Sequence, residues 1–197
     1  MTKNEQIKQI FTASIETKKL ALEKLIEPIA KASDLMIEAL RTQHKILSCG
    51  NGGSAADAQH FAGEMIGRFL IERAPLAAVA LSTDTSVMTA VANDYNYDEI
   101  FAKQIQALGN KGDILLAIST SGNSTNIVKA IKTAHERGLK IIALTGKNGG
   151  EIAHLLNPHD IELRVNAPIS PRIQETHILI IHCLCELIEN QLFAEKL

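Results

Sequence analysis

Five short apolar runs, each ending in small or polar residues and each separated from the next by helix-period sequence, constrain this chain more than any other feature. They cover residues 45–49, 77–81, 113–118, 140–144 and 160–165. Most are apolar at every position, as strands buried on both faces are, and their alternation with helical segments predicts a parallel sheet covered on both sides. Ahead of them, Ile7, Ile10, Phe11, Ile15, Leu20, Leu22 and Leu25 recur at helical spacing and Pro28 closes the stretch. A second helix is predicted over about 29–43, making an N-terminal helical hairpin, and a last helix over about 171–193. The predicted architecture is a three-layer α/β/α domain with a five-stranded parallel sheet. It takes residues 1–197 as one domain, 1–43 as the N-terminal helices and 44–197 as the core with its C-terminal helix. With 46% of its 197 residues hydrophobic, the chain can bury one full core, whereas half of it could not.

In such sheets ligands bind beyond the carboxyl ends of the strands, near the point where strand order reverses. Two loops there are chemically unusual. After the third run comes Ser119-Thr120-Ser121-Gly122-Asn123-Ser124, opening a helix near Thr125. Unpaired backbone N–H groups and the helix dipole favour an anion at that place, and four hydroxyls add neutral donors. A helix cap needs one hydroxyl, so the density of four points to a bound phosphate rather than to capping alone. After the first run comes Gly50-Asn51-Gly52-Gly53-Ser54, whose glycines permit close backbone approach to a ligand. Neither a Walker loop nor GxGxxG is present. A third glycine turn, Gly146-Lys147-Asn148-Gly149-Gly150, reads as structural.

The formal charge of −2 supplies no field for nucleic acid or anionic lipid, and the absence of Trp with few other aromatics argues against a base-stacking surface. No apolar run approaches membrane-spanning length and the N-terminus lacks a signal-peptide core, so a cytoplasmic metabolic protein is predicted. Cys49, Cys183 and Cys185 make an odd count without the CxxC spacing of a metal or redox pair.

The two loops together, with His60-Phe61-Ala62-Gly63-Glu64, Asn93-Asp94 and Arg172-Ile173-Gln174-Glu175, resemble the phosphoheptose isomerase family of SIS-domain proteins over nearly the whole chain. The resemblance implies a homotetramer with active sites between subunits. It also implies conversion of sedoheptulose 7-phosphate to D-glycero-D-manno-heptose 7-phosphate, toward the ADP-heptose of bacterial lipopolysaccharide. By matching motif, Asn51, Gly52, Gly53, Glu64, Asn93, Asp94 and Gln174 would contact substrate, and Ser119, Thr120, Ser121 and Ser124 its phosphate. Glu64 and His182 match the catalytic pair. His60, Glu64, Gln174 and His182 match the ligands of one Zn2+ per subunit. The chain departs from some members in having Pro171 where they carry Asp.

An aldose–ketose isomerase moves a proton between adjacent carbons through an enediol, which needs a carboxylate base and a proton donor or Lewis acid at the carbonyl oxygen. Glu64 and His182 suit these tasks. His60 and Glu64 share a helix face at a spacing that also suits an ordinary solvated pair. On one continuous helix, Gln174 and His182 would stand roughly 12 Å apart, too far to hold one ion. Either the last helix begins after Gln174, or one of the two residues comes from another subunit; the shared site is preferred. A metal-bound Glu64 is also a poorer base, so the metal would polarise oxygens or release a ligand during turnover.

Among the remaining candidates, Asp57 is expected to support the site from behind His60, and His177 to pack or line an interface. Arg68 is left open between ion pairing and a sugar hydroxyl, and His44, His135, His154 and His159 are expected at the surface.

The chain also resembles SIS proteins that bind the replication initiator DnaA without catalysis, notably in Thr12-Ala13-Ser14-Ile15-Glu16-Thr17, Gln106-Ala107-Leu108-Gly109 and His182-Cys183-Leu184-Cys185-Glu186-Leu187-Ile188. Glu64 and His182 separate the two classes, since both are present here. A sugar-phosphate-sensing module is disfavoured because the N-terminal helices lack a basic recognition helix.

Overall fold

A computed structural model describes residues 1–193. Its strands are β1 (Ile46–Gly50), β2 (Ala78–Ala80), β3 (Ile114–Ser119), β4 (Lys140–Gly146) and β5 (Ile161–Val165). They form one sheet in the order β2-β1-β3-β4-β5, parallel throughout. Strand order reverses between β1 and β3, and their register sets Gly50 beside Ile118, so the loops after these strands leave the sheet side by side.

The helices are α1 (Lys3–Arg41), α2 (Gly53–Ile66), α3 (Thr85–Asp94), α4 (Ile100–Leu108), α5 (Thr125–Glu136), α6 (Ile152–Leu155) and α7 (Ser170–Leu192). Successive strand residues face opposite layers. Ile114, Leu116 and Ile118 join a core with α1, α2 and α7, whereas Leu115 and Ala117 join a second core with α4 and α5. That division accounts for the apolar runs having no polar face. No helix among the described residues is long and apolar enough to cross a membrane.

The N-terminal hairpin is corrected by the structure. Residues 3–41 form one helix with Pro28 inside it, opened by a capping box between Thr2 and Glu5. A helical Pro removes one hydrogen bond and crowds the carbonyl four residues back, which usually ends a helix. Here the buried stripe of Leu25, Ala32, Met36 and Ala39 runs through Pro28 without losing phase, and packing of α1 on α7 holds both halves in line. Ile7, Ile10, Phe11, Ile15 and Leu22, on the first half of α1, are all exposed. Pro28→Ala is therefore expected to stabilise the fold by about 1–3 kcal/mol, since it restores an N–H to a continuous helix. Thermal denaturation checks this; a lower melting temperature would mean that a turn at Pro28 is the form in solution.

Candidate active site

The hydroxyl loop is shaped from below by the loop after β4. Gly122 has a positive φ of 68°, and a Cβ there would lie 1.9 Å from the Gly149 carbonyl oxygen. Asn123 Oδ1 accepts from the Glu151 N–H at 2.8 Å, and Gly122 O accepts from Ile152 N at 3.0 Å. The third glycine turn is thus the bed on which the hydroxyl loop rests. Ser124 stands at the N-cap of α5 but makes no side-chain capping bond. Its Oγ lies 3.1 Å from Ser119 Oγ, Thr120 Oγ1 reaches Ser170 Oγ on α7 at 3.5 Å, and Ser121 Oγ accepts from Asn123 N at 3.1 Å. Hydroxyls held at a helix start without being spent on its cap remain free to turn toward an anion. Ser124→Ala is expected to leave thermal stability within about 0.5 kcal/mol and to raise KM for a phosphorylated substrate about tenfold. A KM unchanged by the substitution would remove Ser124 from the phosphate site.

Asn51, in the loop after β1, exchanges hydrogen bonds of 2.8 Å in both directions with Asn126 of α5 and accepts from Tyr97 Oη at 3.2 Å. This partly buried amide pair ties the loop after β1 to the start of α5. Asn126 and Tyr97 were not predicted, and the one signal for Asn126 is a polar residue on the buried face of an amphipathic helix. Asn93 and Asp94, exposed at the end of α3, bond to each other at 2.9 Å and to no other predicted site residue.

Helices α2 and α7 lie side by side and run in the same direction. At their upper ends Gly53 faces Gln174, whose Nε2 would be 2.6 Å from a Cβ on Gly53. Two turns lower, His60 Nε2 lies 3.0 Å from His182 Nε2 and 3.1 Å from Glu64 Oε1. The predicted residues therefore fall into two groups. One surrounds the hydroxyl and glycine loops with Gln174, and the other is His60, Glu64 and His182, roughly 10–12 Å further along the helices. Because α7 is unbroken from Ser170 to Leu192, a last helix that starts after Gln174 is ruled out. Gln174 and His182 of one chain stand too far apart to hold one ion.

Two imidazoles and a carboxylate, with His60 within hydrogen-bond reach of the other two, make a donor set of the kind that zinc takes. As folded, both close contacts converge on His60 Nε2, and among the described residues no group of three His, Cys, Asp or Glu side chains surrounds a common point. The donors fit such an ion in kind and proximity, without a preformed cage. Asp57, one turn before His60, has a buried Oδ2 with no hydrogen-bond partner. Burial pushes its carboxyl up to about 6, against the pull of His60.

The other titratable residues have structural places. His177 is fully buried and its Nε2 lies 2.8 Å from the Thr145 carbonyl; burial holds the imidazole down to about 4, so it packs as a neutral ring. His135, expected at the surface, is instead half-buried against Asp160 at 2.7 Å, where the Asp also fastens β4 and the turn before β5. Arg68 is exposed. Burial raises all three thiols, Cys185 to about 12, so none is poised as a thiolate.

A buried pair that the sequence did not announce lies below His182. Arg73 Nε donates to Glu189 Oε1 at 2.9 Å, with the side chains 0% and 1% exposed. Burial alone would raise the Glu189 pKa, but N–H groups of Leu70, Ile71 and Phe69 and the Arg73 guanidinium outweigh it and hold the carboxyl below its usual range. One sequence signal existed: Glu189 continues the buried stripe of Ile181 and Cys185 at four-residue steps.

The chain matches the SIS domain family over residues 9–146. It is 59% identical over 191 residues to the phosphoheptose isomerase of Shewanella sp. strain ANA-3, covering 97% of each chain. Among solved structures, a phosphoheptose isomerase from Neisseria gonorrhoeae is 52% identical with a TM-score of 0.92, covering 96% of this chain and 100% of that one. One from Francisella tularensis is 46% identical with a TM-score of 0.94, at the same coverage.

Proposed function

This chain belongs to the SIS-domain family and is a phosphoheptose isomerase, and on that premise we propose how its residues divide the work on sedoheptulose 7-phosphate. The observation that carries the assignment of roles is the pairing of a free hydroxyl loop at the start of α5 with a Glu and His cluster on α2 and α7.

Ser119, Thr120, Ser121 and Ser124, with the N–H groups opening α5, hold the phosphate. Asn51, Gly52, Gly53 and Gln174 line the approach beside it, and Asn93 and Asp94 contact the sugar once their mutual bond opens. On the open-chain ketose, the Glu64 carboxylate takes a proton from C1 and the electron pair forms the C1–C2 double bond. The C2 oxygen meanwhile takes a proton from His182, giving the enediol. Glu64 then delivers its proton to C2, the O1 hydroxyl proton returns to His182, and the aldehyde stands at C1.

His60, Glu64 and His182, with Gln174 from a second copy of the chain, would hold Zn2+. When bound, it would supply Lewis-acid polarisation of the substrate oxygens. Two features support a homotetramer with shared sites. Gln174 and the His60, Glu64 and His182 cluster are separated within one chain, and α1 carries an exposed apolar stripe. Alongside that stripe, a groove of about 420 Å³ between α1 and α7 is lined by Leu22, Ile26, Ile29, Leu179, Cys183 and Leu187.

The test is conversion of sedoheptulose 7-phosphate by purified protein, with and without chelator, across a dilution series. Heptose phosphate should form, chelator should lower the rate at least tenfold with zinc restoring it, and specific activity should fall as the assembly dissociates. A folded protein without turnover at any zinc level would overturn the activity. Chelator-insensitive turnover would remove the metal, and an active monomer the shared site.

A further inference from the structure

We propose that Arg73 and Glu189 are positioning residues for the isomerisation, setting Glu64 and His182 in mutual register through a buried clamp between the end of α2 and α7. The inference rests on Glu64 and His182 performing the chemistry.

The last turn of a helix leaves carbonyls without partners, and one guanidinium takes up two of those of α2. Arg73 Nη2 donates to the Glu64 carbonyl at 2.7 Å, and Nη1 to those of Met65 at 2.9 Å and Ala74 at 3.1 Å. The backbone of the base itself is therefore held by Arg73. Nε of the same fork donates to Glu189, which stands seven residues after His182, two turns along the same face of α7. Glu189 in turn accepts from Phe69 N at 3.3 Å, Leu70 N at 2.7 Å and Ile71 N at 3.2 Å. The loop so gathered carries the Phe69 ring, whose centroid is 5.7 Å from that of His182.

One buried charge pair thus touches the backbone of Glu64, stands on the helix of His182 and holds the backbone that carries the ring packed on His182. Along α2 and α7, Glu64 and His182 lie two turns or more beyond Gly53 and Gln174, so the clamp acts on the reacting end and leaves anion binding alone. A planar fork with donors in fixed directions can satisfy three carbonyls and a carboxylate together; a single ammonium cannot.

The experiment uses the full-length protein with Arg73→Lys, which keeps the charge and loses the fork, and Glu189→Gln, which keeps the shape and loses the charge. Phe69→Leu, which leaves the pair intact and removes only the ring against His182, keeps the test decisive if the buried variants do not fold. Folding is checked by circular dichroism, kcat and KM are measured for sedoheptulose 7-phosphate, and inorganic phosphate affinity is measured by calorimetry. The expected result for folded variants is a kcat lowered about 10- to 100-fold, with KM and phosphate affinity within about threefold of wild type. Wild-type kcat in the folded variants would overturn the inference, as would a raised KM with unchanged kcat. A loss of rate that vanishes on cooling with the unfolded fraction would also overturn it, reducing the pair to a stabilising role. An inactive wild-type protein would instead overturn the activity on which the inference stands.

Discussion

Glu64→Gln lowers kcat about 10³-fold or more, while KM for sedoheptulose 7-phosphate stays within a few-fold and the melting temperature within a few degrees. The expectation follows from what Gln keeps and what it loses. Its amide has the same length and retains an acceptor oxygen for the contact to His60, now at 3.1 Å. The side chain is 24% exposed and carries no buried network of its own. What disappears is the carboxylate proposed to take a proton from carbon, together with the charge it would offer to Zn2+, and a positioned base alone contributes on the order of 10²–10⁴ in rate. A 10³-fold loss equals about 4 kcal/mol of transition-state stabilisation, far above the stability change of a surface substitution. His182→Gln should fall by a similar factor, and the double variant little further, because both act in one proton transfer. Steady-state kinetics with heptose phosphate detection decides it. Turnover retained in Glu64→Gln would move the base to another residue, with Asp57 the first to examine.

Gly122→Ala should be the most damaging single change in the hydroxyl loop, costing about 3–5 kcal/mol of stability and abolishing measurable affinity for inorganic phosphate. Two effects coincide at this position. Its φ of +68° strains any residue with a side chain, and the added Cβ would meet the Gly149 carbonyl oxygen at 1.9 Å, a backbone atom that cannot step aside alone. Relief requires moving the 119–124 loop off the 146–151 turn, which breaks the bonds from Ile152 N and Glu151 N as well. Gly52→Ala separates the contributions. Gly52 also has a positive φ, +56°, yet nothing lies within 4 Å of its Cβ. It should therefore cost only the strain, about 1–2 kcal/mol, and leave phosphate binding measurable. Chemical denaturation with phosphate titration reads both. Equal costs at the two glycines would mean that the contact between the loops is not what fixes the site.

Much of this was legible beforehand. Strand runs such as 114–118 are apolar at every residue, and only burial on both faces tolerates that, so the parallel sheet and its covering layers followed from local pattern. The hydroxyl loop was legible because four hydroxyls exceed what one helix start requires, and because loop position after a strand is itself sequential information. His60 and Glu64 could be set on one face, since four residues make about one turn.

Other features depended on what lies opposite. Pro28 looked like an end because its local chemistry disfavours a helix, and only the surface of α7 beneath Leu25, Ala32 and Met36 reverses that preference. His135 looked exposed because its partner Asp160 is 25 residues away. Arg73 and Glu189 could not be paired from a distance of 116 residues, nor could the glycine turn after β4 be recognised as the bed of the hydroxyl loop. Period, capping and composition act within one or two turns of the chain, and these the sequence determined by itself. Which buried charge meets which, and which two helices bring Glu64 and His182 together, only the tertiary structure decided. Such partners are chosen by contact across the fold, and contact leaves no spacing to read in either partner alone.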